Sequence, residues 1–479
     1  MSRSSAFALA FAFAFAFAFA FTGVAPTIGG RGLRSAAPMN DARVARLVHG
    51  TAGFDEAMAR LRDRGESDFA KVEAQVREIL DAVRREGDRA VLRFVERFER
   101  RTPKALCVRE LDGKAALDRL APAAREALSL AAERITKFHE RERAAMFAGS
   151  GFRFEDEGKT LGLRVRALGR VGVYAPGGKA RYPSSVLMSA IPAKVAGVRD
   201  IVLATPLSGK AEEDDSILAA AHLAGVSAIV DSGGAQAIAA LAFGTESIPR
   251  VDKIVGPGNA YVACAKRLVY GAVSVDSIAG PSEILVLADE TADPAHVAAD
   301  LLSQAEHDED AYALLVTTEV ALADAVEREL ARQLDALPRK AIASESLRRH
   351  GQIFIVPDRA GLALAANTIA PEHLSLQVDE PDALLDGIGN VGAAFIGPAT
   401  PEAAGDYIAG PSHVLPTGGA VRFGSPLGVH DFVARTSLIR YTADALRRDE
   451  ANICAFARLE GLEAHARAVL VRTRGLPSS

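Results

Sequence analysis

The chain has 479 residues, of which 49% are hydrophobic, so it is long enough for two or more domains and a large core. Its formal net charge is -5, which gives no support to a nucleic-acid partner. The three cysteines, Cys107, Cys264 and Cys454, lie far apart without a CxxC motif, which argues against a disulfide framework and against a cysteine zinc cluster.

Residues 1–38 differ in composition from the rest of the chain, and we exclude them from the fold. Arg3 precedes an apolar run from Ala6 to Phe21 in which Ala and Phe alternate. At about 16 residues the run is short for a membrane span. It is either a targeting peptide, for example for a plastid, or low-complexity translation upstream of a true start at Met39. We favour the second interpretation, because the alternation is more monotonous than in most signal peptides, and we expect a cytoplasmic protein with no membrane partner.

The residues after position 68 predict helices first and then a repeating pattern. Apolar residues recur at helical spacing from Asp68 to Glu99, and a further helix is predicted over 122–146. Beyond them, short runs rich in Val and Ile, such as Asp200–Ala204 and Ile284–Ala288, alternate with Ala-rich helices. This alternation predicts βαβ units and parallel sheets, which bind ligands at the carboxyl ends of their strands.

Glycine-rich loops follow several of these predicted strands. Glycine lets the backbone approach a ligand closely, and a helix N-terminus favours a phosphate group. No GxGxxG motif is present, and a turn or a helix cap can explain any single loop. Their recurrence at strand ends nevertheless favours nucleotide binding. The loops are VYAPGGKARYPSS (173–185), DSGGAQAIAALAFGT (231–245), VGPGNAYV (255–262) and SIAGPSEI (277–284).

The stretch LLSQAEHDED, residues 301–310, lies at the end of a predicted helix. Gln304 and His307 are three positions apart, which puts them on one face of that helix. An amide oxygen and an imidazole there can both reach one cation, and imidazole with oxygen ligands suits zinc. Two such residues do not make a site, and a polar helix end followed by an acidic loop is the alternative interpretation.

Further polar residues are grouped towards the C-terminus. Glu372 and His373 open a strand-like run, LSLQV, and two adjacent residues at the start of a strand can flank one substrate. Asp406 and His413 lie in the next polar stretch, although a lone His is usually structural or on the surface. Glu460 and His465 are five positions apart and do not share a helical face, so either a helix ends near Gly461 or the two residues serve different parts of a site.

Together these motifs resemble the histidinol dehydrogenase family, in family order and over nearly everything after residue 65. The resemblance implies an NAD-dependent enzyme that oxidises L-histidinol through L-histidinal to L-histidine, the last step of histidine biosynthesis. The matching stretches are GRVGVYAPGG (169–178), GGAQAIAALAFGT (233–245), KIVGPGNAYV (253–262), AGPSEILVLAD (279–289), LLSQAEHDED (301–310), APEHL (370–374), GDYIAGPSHVLPT (405–417) and LEGLEAH (459–465).

The resemblance also implies roles for individual residues. One Zn²⁺ per subunit is expected on Gln304, His307, Asp406 and His465, where the metal acts mainly as a template for substrate. His373 is expected to take the hydroxyl proton in the first oxidation, and Glu372 to activate water in the second. The expected substrate-contacting residues are Ser282, Gln304, His307, His373, Asp406, His413, Glu460 and His465. The expected NAD-contacting residues are Tyr174, Gln236 and Asn259.

The fold that we expect is α/β, with two Rossmann-like βαβ domains that contain parallel sheets and with small helical N- and C-terminal segments. An N-terminal arm covers 39–68. The first domain, with the metal and catalytic residues, covers 69–169 and 284–411. The second, with the NAD loops, covers 170–283. By resemblance, the C-terminal segment 412–479 reaches the active site of the partner subunit, so that the enzyme is a homodimer with shared active sites.

Three other functions remain open at this point. A relative of the same family can oxidise another small amino or sulfo alcohol while keeping zinc and NAD. A zinc-dependent hydrolase can use Glu372 to activate water without moving a hydride, although the glycine-rich loops speak against it. A non-catalytic binding protein can keep the fold, although the intact Glu372-His373 pair argues against that.

Overall fold

The structure is a computed structural model, and it describes residues 44–64, 69–147, 150–177 and 181–475. The segment 1–38 and the alternative start at Met39 lie outside these residues. No helix within the described ranges combines the length and the apolar character that crossing a membrane requires.

The strands are numbered in chain order. They are β1 (Ala45–Val48), β2 (Cys107–Val108), β3 (Gly151–Asp156), β4 (Lys159–Ala167), β5 (Arg170–Tyr174), β6 (Asp200–Ala204), β7 (Ala228–Val230), β8 (Lys253–Val255), β9 (Ser274–Val275), β10 (Glu283–Ala288), β11 (Tyr312–Thr317), β12 (Gln352–Ile355), β13 (His373–Gln377), β14 (Ala393–Ile396) and β15 (Val433–Tyr441).

The α-helices are numbered in the same way. They are α1 (Ala52–Asp63), α2 (Ala70–Glu86), α3 (Asp88–Phe94), α4 (Gly113–Arg119), α5 (Pro122–Met146), α6 (Pro183–Ala196), α7 (Ala211–Ala224), α8 (Gly234–Phe243), α9 (Ala260–Val269), α10 (Pro294–Ala305), α11 (Val320–Leu334), α12 (Lys340–His350), α13 (Arg359–Ile369), α14 (Pro381–Leu385), α15 (Glu402–Tyr407), α16 (Ala443–Leu459) and α17 (Glu463–Gly475).

Two six-stranded sheets organise the chain. Sheet A has the order β1-β12-β11-β10-β13-β14 and is parallel throughout. Sheet B has the order β2-β7-β6-β5-β8-β9, and all its strands are parallel except β2 at one edge. In each sheet the strand order reverses beside a central strand, β10 in sheet A and β5 in sheet B, as in doubly wound folds. The predicted α/β class with parallel sheets is confirmed.

The strands of sheet A are buried because helices cover both faces. All six residues of β10, EILVLA, are buried, which is the composition expected of a parallel strand with no solvent face. The helix that follows it, α10, begins with Asp293 as its N-cap and Pro294 at its first position, a sequence that starts helices efficiently. The first turn of α10 is thereby fixed, and its last turn returns to the amino edge of sheet A.

The segments outside the two sheets pack in different places. In the N-terminal arm, β1 pairs with β12 at the edge of sheet A, and α1 packs against α13. Helix α2 packs against α8 and α9, and α5 packs against α6. These contacts favour grouping residues 70–146 with sheet B, whereas the sequence division placed 69–169 with 284–411. The division into two domains stays a prediction.

A third sheet, sheet C, is small and antiparallel, with the order β15-β4-β3. The C-terminal helices α16 and α17 follow β15 and pack against each other as a hairpin. Gly461 lies between them in the left-handed conformation, at a φ of 75°. The expected helix end near Gly461 is therefore confirmed.

Helix α13 offers a matched test of the core of sheet A. Leu362 is 1% exposed and packs under the sheet, whereas Leu364 on the same helix is 66% exposed. We expect Leu362→Ala to lower the free energy of unfolding by about 2–5 kcal/mol, because it removes buried methyl groups and leaves a cavity. Leu364→Ala is the control and should change it by less than about 0.5 kcal/mol. Chemical denaturation of both variants measures the difference, and equal effects would contradict the packing described.

Candidate active site

The predicted catalytic pair lies at the amino edge of sheet A. His373 is the first residue of β13, Glu283 is the first residue of the neighbouring β10, and Ser282 directly precedes it. Helix α10 runs back to this edge and brings Gln304 there in its last turn. The helix ends at Ala305 and His307 follows in a turn, so the prediction that both residues lie on one helical face is wrong. In sheet A, the residues expected at the site therefore lie at the amino edge and not at the carboxyl ends of the strands. The reason is that the side chains concerned come from strand starts and from helices that return to the amino edge.

His373 is held in one tautomer. Its Nδ1 lies 2.9 Å from the carbonyl oxygen of Glu283, which can only accept a hydrogen bond, so Nδ1 carries the proton. Nε2 then has a free lone pair, is buried without a hydrogen-bond partner, and lies 4.0 Å from Oδ1 of Asp406. Burial lowers the pKa of His373 to about 4, so the ring is neutral near pH 7. A neutral imidazole whose lone pair is not engaged in a hydrogen bond can accept a proton.

Three buried carboxyl groups surround this histidine. Oε1 of Glu402 lies 3.3 Å from Nδ1 of His373, and Oε2 of Glu372 lies 3.6 Å from it. Burial, followed by the negative charge of Glu283, raises the pKa of Glu372 well above its usual range. Burial raises the pKa of Glu402 in the same way and that of Asp406 to about 6. Several carboxyl groups with raised pKa values in one buried cluster indicate a functional site.

The residues expected to bind zinc fall into two groups. Asp406 and Gln304 are brought towards the same edge by α15 and α10, which pack against each other. Oε1 of Gln304 is buried and has no hydrogen-bond partner. Burial lowers the pKa of His307. After burial, a positive charge on His307 would also lower the pKa values of His373 and His413, so these three rings lie close together. Neutral imidazole nitrogens with amide and carboxylate oxygens fit a zinc ion.

His413 also faces this cluster. Its Nδ1 lies 3.9 Å from Oδ1 of Asp406, and burial lowers its pKa to about 4. A second donor set overlaps with the expected one, because donor atoms of His373, Glu402 and Asp406 lie within 4.8 Å of one another. Asp406 belongs to both sets, which makes it the residue around which either would form.

His465 and Glu460 are not brought to this cluster within one chain. Both are exposed on the C-terminal hairpin, at the start of α17 and directly after α16. Within the described ranges, neither side chain makes a hydrogen bond or an ion pair. Within one chain, His465 therefore does not join Gln304, His307 and Asp406.

Sequence reasoning missed Glu402. It stands four positions before Asp406, and both lie in α15 on one helical face. That spacing was the available signal, and it is weak because surface helices carry such pairs often. The burial of the Glu402 side chain became visible only in the structure, where the hydroxyl of Ser303 donates a hydrogen bond to Oε2 of Glu402 at 3.2 Å.

The expected NAD-contacting residues lie at the carboxyl edge of sheet B. Tyr174 ends β5, and its buried hydroxyl accepts a hydrogen bond from the amide of Gly234 at 3.0 Å. Gln236 lies in the first turn of α8 and donates to Glu99. Asn259 caps α9 by accepting from two backbone amides. For sheet B, the expectation of ligand-binding loops at the carboxyl ends of the strands therefore agrees with the geometry.

Glu99 is a further, half-buried carboxylate at that edge. Its Oε1 accepts from the amide of Gly233 at 2.9 Å and from Nε2 of Gln236 at 3.2 Å. Arg101 pairs with the same carboxylate and with Asp231. The start of α8 is thus tied to the π-helical turn Val95–Glu99, which follows α3.

The sequence model of the histidinol dehydrogenase family matches residues 62–473 of the chain. The chain belongs to the histidinol dehydrogenase family. It is 50% identical over 423 residues to the histidinol dehydrogenase of Syntrophotalea carbinolica, which covers 88% of this chain and 97% of that protein. The histidinol dehydrogenase of Bacillus cereus is 50% identical over 422 residues, with the same coverage.

A solved structure agrees with the sequence comparisons. The crystal structure of histidinol dehydrogenase from Elizabethkingia anophelis superimposes with a TM-score of 0.82 at 33% identity, covering 91% of this chain and 99% of that one. These matches confirm the resemblance drawn from the motifs. They also confirm the expectation of an NAD-dependent oxidoreductase with an α/β fold.

Proposed function

We propose that the chain catalyses the two-step oxidation of L-histidinol through L-histidinal to L-histidine, the last step of histidine biosynthesis, with zinc and two NAD. The observation that supports this most is the His373 imidazole, which has its proton on Nδ1 and a free, buried Nε2 beside Asp406. In a member of the histidinol dehydrogenase family, such a base belongs to the oxidation of an alcohol.

The zinc site of the proposal consists of Gln304, His307 and Asp406 from one chain and His465 from a second copy. The unpaired Oε1 of Gln304 supports a cation there, because an amide oxygen buried without a partner is costly. When bound, zinc holds the substrate in place by attracting its nitrogen groups. Ser282, His413 and Glu460 are the further residues that we propose for substrate contact.

In the first oxidation, His373 removes the hydroxyl proton of the alcohol at Nε2 while the carbon loses a hydride to NAD. Nδ1–H stays bonded to the carbonyl of Glu283, so the ring keeps its orientation as it gains charge. Glu402, 3.3 Å from Nδ1, can stabilise the charged imidazole. The products of this step are histidinal, NADH and a proton.

In the second oxidation, Glu372 takes a proton from water as the water oxygen bonds to the aldehyde carbon. Burial and the negative charge of Glu283 raise the pKa of Glu372, which makes its carboxylate a stronger base when it is ionised. The hydrate anion that forms then loses a hydride to a second NAD and its remaining hydroxyl proton to His373, which leaves the carboxylate of histidine. We place the NAD molecules against Tyr174, Gln236 and Asn259.

The active enzyme of the proposal is a homodimer with shared sites. Glu460 and His465 are exposed on the α16–α17 hairpin, where a second copy can receive them. Large apolar side chains are also exposed on this hairpin and on sheet C, a surface typical of an interface. They are Phe152, Phe154, Ile439, Phe456, Leu459 and Val471.

The alternative within the family is another small amino or sulfo alcohol as substrate. The shape of the substrate pocket decides between the two, and it is completed only by the second subunit. Comparing turnover of L-histidinol with that of other amino alcohols separates them. The cytoplasm is the location that we propose, while a targeting role depends on residues 1–38.

Removing zinc with a chelator should abolish formation of NADH from L-histidinol and NAD, measured by absorbance. NAD binding, measured by calorimetry, should largely persist, because the proposed ligands and the cofactor loops belong to different sheets. Adding zinc back should restore the rate. A chelated, metal-free enzyme that turned over L-histidinol at full rate would contradict the role of the metal, and an enzyme that never produced NADH would contradict the function.

The roles of the catalytic pair can be separated by supplying each substrate. His373→Asn should slow both oxidations by roughly 10²–10⁴, because both steps release a proton to this base. Glu372→Gln should slow mainly the oxidation of L-histidinal, since only that step needs activated water. If Glu372→Gln oxidised L-histidinal as fast as the unaltered enzyme, the assignment of Glu372 would be wrong.

Shared sites predict complementation between two inactive variants. In the proposed dimer, each active site takes His373 from one chain and His465 from the other. A hybrid dimer of a His373→Asn chain and a His465→Asn chain has one site that carries both substitutions and one site that carries neither. Hybrid dimers therefore keep one intact site out of two, and an even mixture of chains should recover about a quarter of the original activity. Native mass spectrometry confirms that hybrid dimers have formed. Hybrids that stay inactive would show that the C-terminal segment serves its own chain.

A further inference from the structure

A buried ion pair lies next to the proposed catalytic residues. Arg64 follows α1 in the N-terminal arm, and Glu283 begins β10; their side chains are only 4% and 2% exposed. Nε of Arg64 donates to Oε1 of Glu283 at 2.7 Å, and Nη2 donates to Oε2, so the pairing is bidentate. Gly418 adds a backbone amide to Oε1 at 2.9 Å. The Glu283 carboxylate is therefore fixed on both oxygens.

Glu283 in turn holds both members of the catalytic pair. Its backbone amide donates to Oε2 of Glu372 at 2.9 Å, and its backbone carbonyl accepts from Nδ1 of His373. The amide of Glu372 donates back to Oε2 of Glu283 at 3.4 Å. The two glutamates thus exchange hydrogen bonds across the β10–β13 pairing, and neither carboxylate can turn without breaking one.

Arg64 also holds the turn that leads into Glu372. Its Nη1 donates to the carbonyl of Ile369 at 2.7 Å, and Nη2 reaches the carbonyl of Ala370 at 3.4 Å. Ala370 is in the left-handed region at a φ of 51°, a conformation that an alanine adopts only when its surroundings impose it. The guanidinium of Arg64 therefore fixes both the side chain of Glu283, which is the hydrogen-bond partner of Glu372, and the backbone turn that precedes Glu372.

Stability alone is a poor reason for such a pair. Removing two charges from water costs more than their attraction returns unless every donor and acceptor is used, and well-packed apolar residues serve stability equally well. Apart from one bond from Nη1 to the carbonyl of Leu61, the donors of Arg64 are used on Glu283 and on the turn before Glu372. We therefore attribute the burial of this ion pair to the positions that Arg64 imposes on the groups around Glu372.

We propose that Arg64 is a positioning residue of the active site, which acts through Glu283 and through the turn at 369–370 to hold the carboxylate of Glu372 where water adds to the aldehyde. The inference rests on the proposed function. It makes the N-terminal arm, which contains none of the residues proposed to contact substrate, necessary for the second oxidation.

The test compares the two oxidations in the full-length, zinc-loaded enzyme. NADH formed from L-histidinol in the presence of a carbonyl trap reports the first oxidation, and NADH formed from supplied L-histidinal reports the second. Arg64→Met should lower kcat for L-histidinal by about 10²-fold, because small misplacements of a reacting group cost that much. The first oxidation should fall by less than about tenfold, with KM for L-histidinal and zinc content unchanged.

Two further variants keep the test valid if Arg64→Met folds poorly. Glu283→Gln keeps the shape of the partner but removes its charge, and it should lower the same rate selectively. Arg64→Lys keeps the charge without the bidentate geometry, and it should recover only part of the rate. Combining Arg64→Met with Glu283→Gln should restore folding, since no unpaired charge remains, without restoring L-histidinal oxidation.

Lys253→Met provides the matched control. It removes another buried pair, between Lys253 and Asp431 at 2.6 Å, that touches no proposed catalytic residue. It should lower thermal stability while leaving the ratio of the two oxidation rates unchanged. If the Arg64 and Glu283 variants also left this ratio unchanged, Arg64 would be only structural and the inference would be overturned. An unaltered enzyme inactive on both substrates would instead overturn the proposed function, and this inference with it.

Discussion

Several ionisable side chains at the amino edge of sheet A are removed from water, and the rest of the site depends on this constraint. Glu283, Glu372, His373 and Glu402 are all buried there. Each must be neutral, paired or hydrogen-bonded, because an isolated buried charge is too costly to keep. The opposite shifts follow directly, with the pKa of the histidine lowered and the pKa values of Glu372 and Glu402 raised.

The two parallel sheets share a topology but are used at opposite edges. Sheet B presents its carboxyl edge, where loops follow strands and helices begin, as doubly wound sheets usually do. Sheet A presents its amino edge, where helices end and strands begin. Helix starts favour anions and strand starts offer free backbone groups. The proposed cofactor residues and the proposed metal residues thus lie on different sheets.

Local patterns in the sequence were enough to predict the fold class and several parts of the site. The break at Gly461 follows from neighbours in the chain and agrees with the structure, whereas the predicted shared helical face of Gln304 and His307 does not form, because α10 ends at Ala305. The pairing of Arg64 with Glu283 joins residues 219 positions apart, and no local pattern encodes it. Glu402 was missed for the same reason, because its burial depends on how α15 packs and not on its own spacing.

The carboxylate of Glu99 at the start of α8 has a consequence for cofactor binding. An ordinary Rossmann helix leaves its first amides free, and a pyrophosphate fills them. Here the amide of Gly233 already donates to Glu99, and that of Gly234 donates to the Tyr174 hydroxyl. A dinucleotide that arrives at this edge finds the helix start occupied by the chain's own anion. If a dinucleotide binds here as proposed, groups other than these two amides would have to compensate the charge of its phosphates.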